Sequence, residues 1–155
     1  MLGILKKVFD GSAKNKALTP EEKELRLKTA TCVILLEAAT ADHNFSEEEQ
    51  KKVLDILEAR YGMTEDAVKE LIQESEKARE DATDLWYFTN MINENMDNDE
   101  KYRLMELVWE VIYSDGTMDK FENYVAHKLQ SMLNLDHSTF IELKMKVKNE
   151  LAAGS

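Results

Sequence analysis

The feature that most constrains this chain is that one stretch of it is written twice. Residues 37–49 read EAATADHNFSEEE and residues 110–122 read EVIYSDGTMDKFE. At an offset of 73 positions, Glu37 falls on Glu110, Asp42 on Asp115 and Glu49 on Glu122. The register runs without gaps from Leu25/Asn98 to Ala78/Leu151, and its identities are these acids and Lys28/Lys101. A repeat at fixed period marks a duplicated supersecondary unit. Each copy has a carboxylate near the end of an apolar helical run, a second five residues on in a tight turn, and a third just inside the next helix. Drift erases identity first where only apolar character matters, so the retained acids are the residues to follow.

Helix signals recur in both copies. Thr19-Pro20-Glu21-Glu22 is a start, with Thr as cap, Pro at the first helical position and Glu22 placed to close a capping box. The helix it opens runs to about Ala41 and is nearly continuously apolar from Ala30 to Ala39, which predicts a central position in the domain. Ser46-x-x-Glu49 opens a second helix with Val53, Ile56 and Leu57 on one face, and Gly62 closes it. Thr64 caps a third, carrying Val68, Leu71 and Ile72. Thr83 is expected to cap a connecting helix whose broad apolar face is Leu85, Trp86, Phe88, Met91 and Ile92. The second unit repeats the scheme from Asp97-x-x-Glu100, through an Asp119-x-x-Glu122 cap, to a last helix opened by Asp136 or Ser138 with Phe140, Leu143, Val147 and Leu151 inward. Ala152 to Ser155 reads as a tail.

No segment alternates with period two over a strand's length, and the only Pro stands at a helix start. The expected fold is all-α: a single domain of seven to eight helices, made of two pseudo-symmetric three-helix units joined by a connecting helix. Residues 1–18 read as a short N-terminal helix, Leu2 to Phe9, and a polar loop; 19–152 read as the helical domain.

Charge and cysteine content narrow the function. The chain of 155 residues has 31 Asp and Glu against 20 Lys and Arg, a net charge of −11. Such a surface repels nucleic acid and anionic headgroups and favours cations and basic partners. A lone Cys32 in the apolar run CVILL excludes an internal disulfide, fits a reducing cytoplasm, and reads as an inert core residue. No stretch approaches the roughly 18 apolar residues of a membrane span.

The duplicated acids carry the chemical signal. Val33 and Ala41 flank Glu37 on its helical face, so an ionised carboxylate there needs compensation. Glu110 sits between Trp109 and Val111, with Glu106 one turn back. Asp42 and Asp115 stand at helix ends, where the dipole is negative. Backbone amides, a basic side chain or a metal ion would each hold these acids. Clustered carboxylates, with Asn44, Ser46, Thr117 and Asp119 nearby, are hard oxygen ligands suited to Ca²⁺, Mg²⁺ or Mn²⁺. The two units would either share one site or form one each. Glu49 and Glu122 are accounted for by their capping boxes.

Other chemistries lack their parts. The turns lack the Gly and Glu of an EF-hand loop, there is no Glu-x-x-His pair for a di-iron bundle, and His43, His127 and His137 are scattered and read as surface residues. No P-loop or GxSxG is present. A metal-dependent hydrolase would have only His43, beside Asp42, as a base distinct from the ligands.

These residues resemble a known family. LLEAATADHNFSEEE, DLWYFTNMI, LMELVWEVIYSDGTMDKFE and LNLDHSTFIELK, spanning Lys28 to Lys144, are similar to the TerB-like (tellurite-resistance protein B) family. The paired A-D-x-x-x-S-x-x-E and S-D-G-x-x-D-x-x-E turns are specific in combination. The resemblance implies a pseudo-symmetric helical fold and a divalent-metal site on the matching acids, Glu37, Asp42, Glu49, Glu110, Asp115 and Glu122. His43 departs from the Gly common at its position. The resemblance also implies sensing or scaffolding in stress response rather than catalysis. The expectation is a non-enzymatic cytoplasmic module that binds a divalent cation and engages a protein partner, at a membrane face or as a homodimer. The alternative is a protein-binding acidic scaffold whose carboxylates are structural.

Overall fold

In a computed structural model the duplication becomes two helical units laid against each other. The structure describes residues 19–40, 46–115 and 120–154, with the side chains of 115, 120–122 and 151–154 outside the description. The expected N-terminal helix, the Asp42-His43-Asn44 turn and the Asp119–Glu122 cap therefore lie outside the described residues.

The first unit comprises α1 (Pro20–Ala39), α2 (Glu47–Tyr61) and α3 (Glu65–Asp81), and α4 (Trp86–Asn95) connects it to the second. The second comprises α5 (Asn98–Ile112), a 3-10 turn (Tyr113–Asp115), α6 (Lys120–Met132) and α7 (His137–Gly154). Shifting the first three ranges by 73 reproduces the ends of the last three helices to within two residues, except that α5 starts five residues later than the shifted α1, and all described residues fit an all-α domain.

Caps form where the sequence places them. Glu22 N–H donates to Thr19 Oγ1 at 3.1 Å, Ala67 N–H to Thr64 Oγ1 at 3.2 Å, and Thr139 N–H to Asp136 Oδ2 at 3.1 Å. Reciprocal capping boxes close at Ser46/Glu49 and Asp97/Glu100. Gly62 ends α2 at φ +61°, and Asn134 adopts the same left-handed conformation (φ 57°) after α6. Asn tolerates it because its short polar side chain bonds locally.

Three expectations need correction. The connecting helix starts at Trp86, and Asp84 rather than Thr83 takes its first amide, Trp86 N–H to Oδ1 at 2.9 Å. Trp86 is 59% exposed, because at about 100° per residue it falls a third of a turn or more from the inward stripe of Phe88, Met91 and Ile92. The C-terminal tail is helical to Gly154.

α1 is central, as its apolar run predicts: α2, α3, α4, α5 and α6 all pack against it. α5 is the second axis, touching α1, α2, α6 and α7. The contacts exchange under the repeat, α1 with α6 answering α5 with α2, and α1 with α3 answering α5 with α7. Buried positions exchange too: Cys32/Met105, Leu35/Val108, Ala39/Ile112 and Ile56/Leu129 are buried in both copies. The repeat thus preserves which face is inward while size drifts, as packing by volume and pattern allows.

Candidate functional site

Lys28 and Lys101, the one non-acidic identity in the repeat, show what duplication retains for structure. Lys101 is buried, and its Nζ donates to Leu133 O at 3.0 Å and Asn93 Oδ1 at 3.2 Å, just past the end of α6. Lys28 Nζ lies 5.2 Å from the centre of the Tyr61 ring, at the corresponding end of α2. Lys101 thus ties the first helix of its unit to the carbonyl end of the second, and Lys28, which also pairs with Glu24 at 3.8 Å, meets the corresponding helix end through the Tyr61 ring.

The acids divide differently. Glu49 is 1% exposed and held by its cap: Ser46 Oγ donates to Glu49 Oε1 at 3.0 Å, and Glu49 N–H donates to Ser46 Oγ at 3.1 Å. Glu37, 22% exposed, accepts from Arg79 Nε at 3.0 Å. Arg79 comes from the last turn of α3, 42 positions away. Of the three means of holding Glu37, the first unit uses a basic side chain.

Glu110 has no counterpart to Arg79, because the register places Ala152 there. It stands half-buried on α5 without an ion pair among the described residues. Burial pushes its carboxyl above the ordinary range, Lys52 across on α2 opposes that, and Glu106 and Glu150 add to it. Glu106 is itself engaged by Lys146 at 3.2 Å.

Asp42 lies outside the described residues. Asp115 ends the 3-10 turn and Glu122 lies on α6, the side chains of both being outside the description. Among the described residues no group of three or more His, Cys, Asp or Glu is arranged to hold a metal ion. The structure therefore does not bring Glu37, Glu49 and Glu110 together at one centre. Arg79, which pairs with Glu37, and Lys52, which faces Glu110 without closing an ion pair, could not be found from sequence, since neither approach has local spacing.

A match to the model of the family described as Tellurite resistance protein TerB covers residues 28–145. The chain belongs to the TerB family. No curated protein and no solved structure matches it significantly. The TerB match agrees in extent with the repeat and takes in all the duplicated acids.

Two remaining groups take their character from the fold. His127 and His137 are not scattered in space: their rings stack at 5.7 Å, and Phe140 lies 5.1 Å from His127. Burial first, and then the neighbouring His137 and Lys144, lower the His127 pKa below its usual value of 6.5. Cys32 is buried, its thiol pushed up to about 12 chiefly by that burial, which agrees with an inert core residue. Among the described residues no helix is long and apolar enough to cross a membrane.

Proposed function

We propose that this TerB-family chain is a non-enzymatic cytoplasmic module for stress response or scaffolding, and that it binds a divalent cation at the turn of its second unit. Glu110 and Asp115 are the proposed ligands there, with Glu122 following. The reading rests on one observation: Glu37 is already neutralised by Arg79, whereas its repeat-mate Glu110 closes no ion pair with a described residue. An uncompensated, half-buried carboxylate is where a cation gains most. Ca²⁺, Mg²⁺ and Mn²⁺ suit an all-oxygen donor set. In this reading the first-unit acids are structural and the site is not shared between units.

The test is a thermal melt of chelator-treated protein with each ion added in turn. An ion that binds only the folded state, at about 100 times its dissociation constant, adds roughly 2.7 kcal/mol. Asp115→Asn should abolish the rise, and Glu37→Gln should lower the baseline while leaving the rise intact. Equal loss of the rise in both variants would point instead to a shared site. A flat response to every ion would favour the second reading, an acidic protein-binding scaffold, which the Glu37–Arg79 pair already supports for the first unit.

A further inference from the structure

The two units meet at two junctions that the repeat makes equivalent, α1 with α6 and α5 with α2. The first is closed: α4 packs against both α1 and α6. Among the described residues no helix takes the corresponding place at the second, and a groove of about 670 Å³ lies there between α2 and α5. That volume is within the ~300–1,000 Å³ typical of small-molecule sites.

The linings differ in kind. Lys52 and Arg60 project from α2, at one helical stripe, and Arg103 from α5. At the equivalent positions of the closed junction stand Val125, Leu133 and Ala30, with Leu133 and Ala30 fully buried. Three apolar contacts in one junction are thus three cations in the other. None of the three closes an ion pair with a described carboxylate, although the chain carries 31 acids to 20 bases. Arg60 instead lies over the Tyr61 ring, 5.7 Å from its centre. Ile56, Leu107 and Tyr61 give the groove an apolar side. Asp55 and Glu110 also line it, so its formal balance is three cations against two acids.

We infer that the α2/α5 groove is a binding site for a small organic anion, a carboxylate or phosphate head on an apolar body. The head would be met by Arg60, Arg103 and Lys52, since guanidinium groups pair with such oxyanions in two-point fashion. The body would lie along Ile56, Leu107 and Tyr61.

The experiment is an amide-resolved NMR titration of the full, chelator-treated chain, so that no cation at the Asp115 turn contributes. Octanoate, octyl phosphate, octanol and octylamine are the probes. Octanoate or octyl phosphate should shift amides of 52–61 and 103–110, and comparison of the two ranks carboxylate against phosphate. Octanol should bind at least about tenfold more weakly, the difference one charge-assisted contact makes. The double variant Arg60→Glu with Arg103→Glu should lose binding by more than that, while Arg60→Lys with Arg103→Lys retains part of it. Lys128→Glu, on exposed α6 surface, should change nothing. Equal binding of octanol and octanoate, shifts mapping elsewhere, or undiminished binding by the Glu variant would each overturn the inference. The wild-type comparison of the four probes decides even if the double variant does not fold.

Discussion

Glu37 and Glu110 occupy one register position in a duplicated unit, yet they live in opposite circumstances. The first is met by Arg79 at 3.0 Å, and the junction beside its helix is roofed by α4. The second is half-buried, pushed toward its neutral form, and lines a groove beside Lys52, Arg60 and Arg103, which close no ion pair with a described residue. Duplication supplies two identical carboxylates. Two differences then separate their fates: Arg79 has Ala152 as its repeat-mate, and among the described residues α4 covers only the junction of α1 with α6. A retained residue therefore does not imply a retained role: Lys28 and Lys101 kept theirs, whereas the two glutamates did not.

The largest effects test how far the two halves differ in their cores. Leu36 and Trp109 are repeat-mates, both buried, but Trp109 also packs against Phe140 with ring centres 5.0 Å apart and planes tilted by 47°, and lies under Lys144. Trp109→Ala should cost about 3–5 kcal/mol and Leu36→Ala about 2–3 kcal/mol, since the larger side chain leaves the larger void. Urea unfolding followed by circular dichroism measures both. Equal losses would mean that the second unit is no more dependent on its aromatic cluster than the first is on aliphatic packing.

Next in size are the paired acids, whose neutral variants should move stability in opposite directions. Glu37→Gln removes the charge that Arg79 answers, and in this partly buried setting should cost about 1 kcal/mol. Glu110→Gln, in ion-free protein, should be neutral or stabilising. The sign follows from the direction of its shift. A carboxyl raised in the folded state binds more protons folded than unfolded, so its penalty is full above the raised pKa and gone below the ordinary 4.5. The gain from Glu110→Gln should accordingly be present at pH 7 and vanish toward pH 4. Melts of both variants across that range decide it, and a loss at pH 7 for Glu110→Gln would show that the carboxylate already has a compensating partner.

The all-α architecture was legible because caps and apolar spacing are local. Thr19, Ser46, Thr64, Asp97 and Asp136 each cap where their sequence context directs, and the gapless 73-residue register gives the pseudo-symmetry directly. The start of α4 is ambiguous in sequence because Thr83 and Asp84 are both competent caps one position apart, and only the structure shows that Asp84 takes the first amide. The site was less legible. Glu37 reads correctly as an acid needing compensation, but what compensates it comes from 42 positions away, and no spacing rule reaches that far. The groove was invisible for a related reason: Lys52, Arg60 and Arg103 look like ordinary solvated charges on their own helices, and become a set only when α2 is laid on α5.

The smallest predicted effect concerns a residue with no charged or aromatic repeat-mate. His127 corresponds to Leu54, so the second unit has a titratable ring where the first has an aliphatic side chain. Burial and the neighbouring His137 and Lys144 lower its folded pKa below 6.5. The unfolded chain then binds the proton more readily, so the stability held by the neutral ring is fully present above 6.5 and is lost as pH falls below it. The slope must be a fraction of the one-proton maximum of about 1.4 kcal/mol per pH unit, since His127 is only partly buried. Stability measured by urea unfolding should fall between pH 7 and 5.5, and His127→Leu, which writes the first unit's residue type into the second, should flatten that fall. A fall of unchanged steepness in the variant would place the titrating group elsewhere and remove this difference between the units.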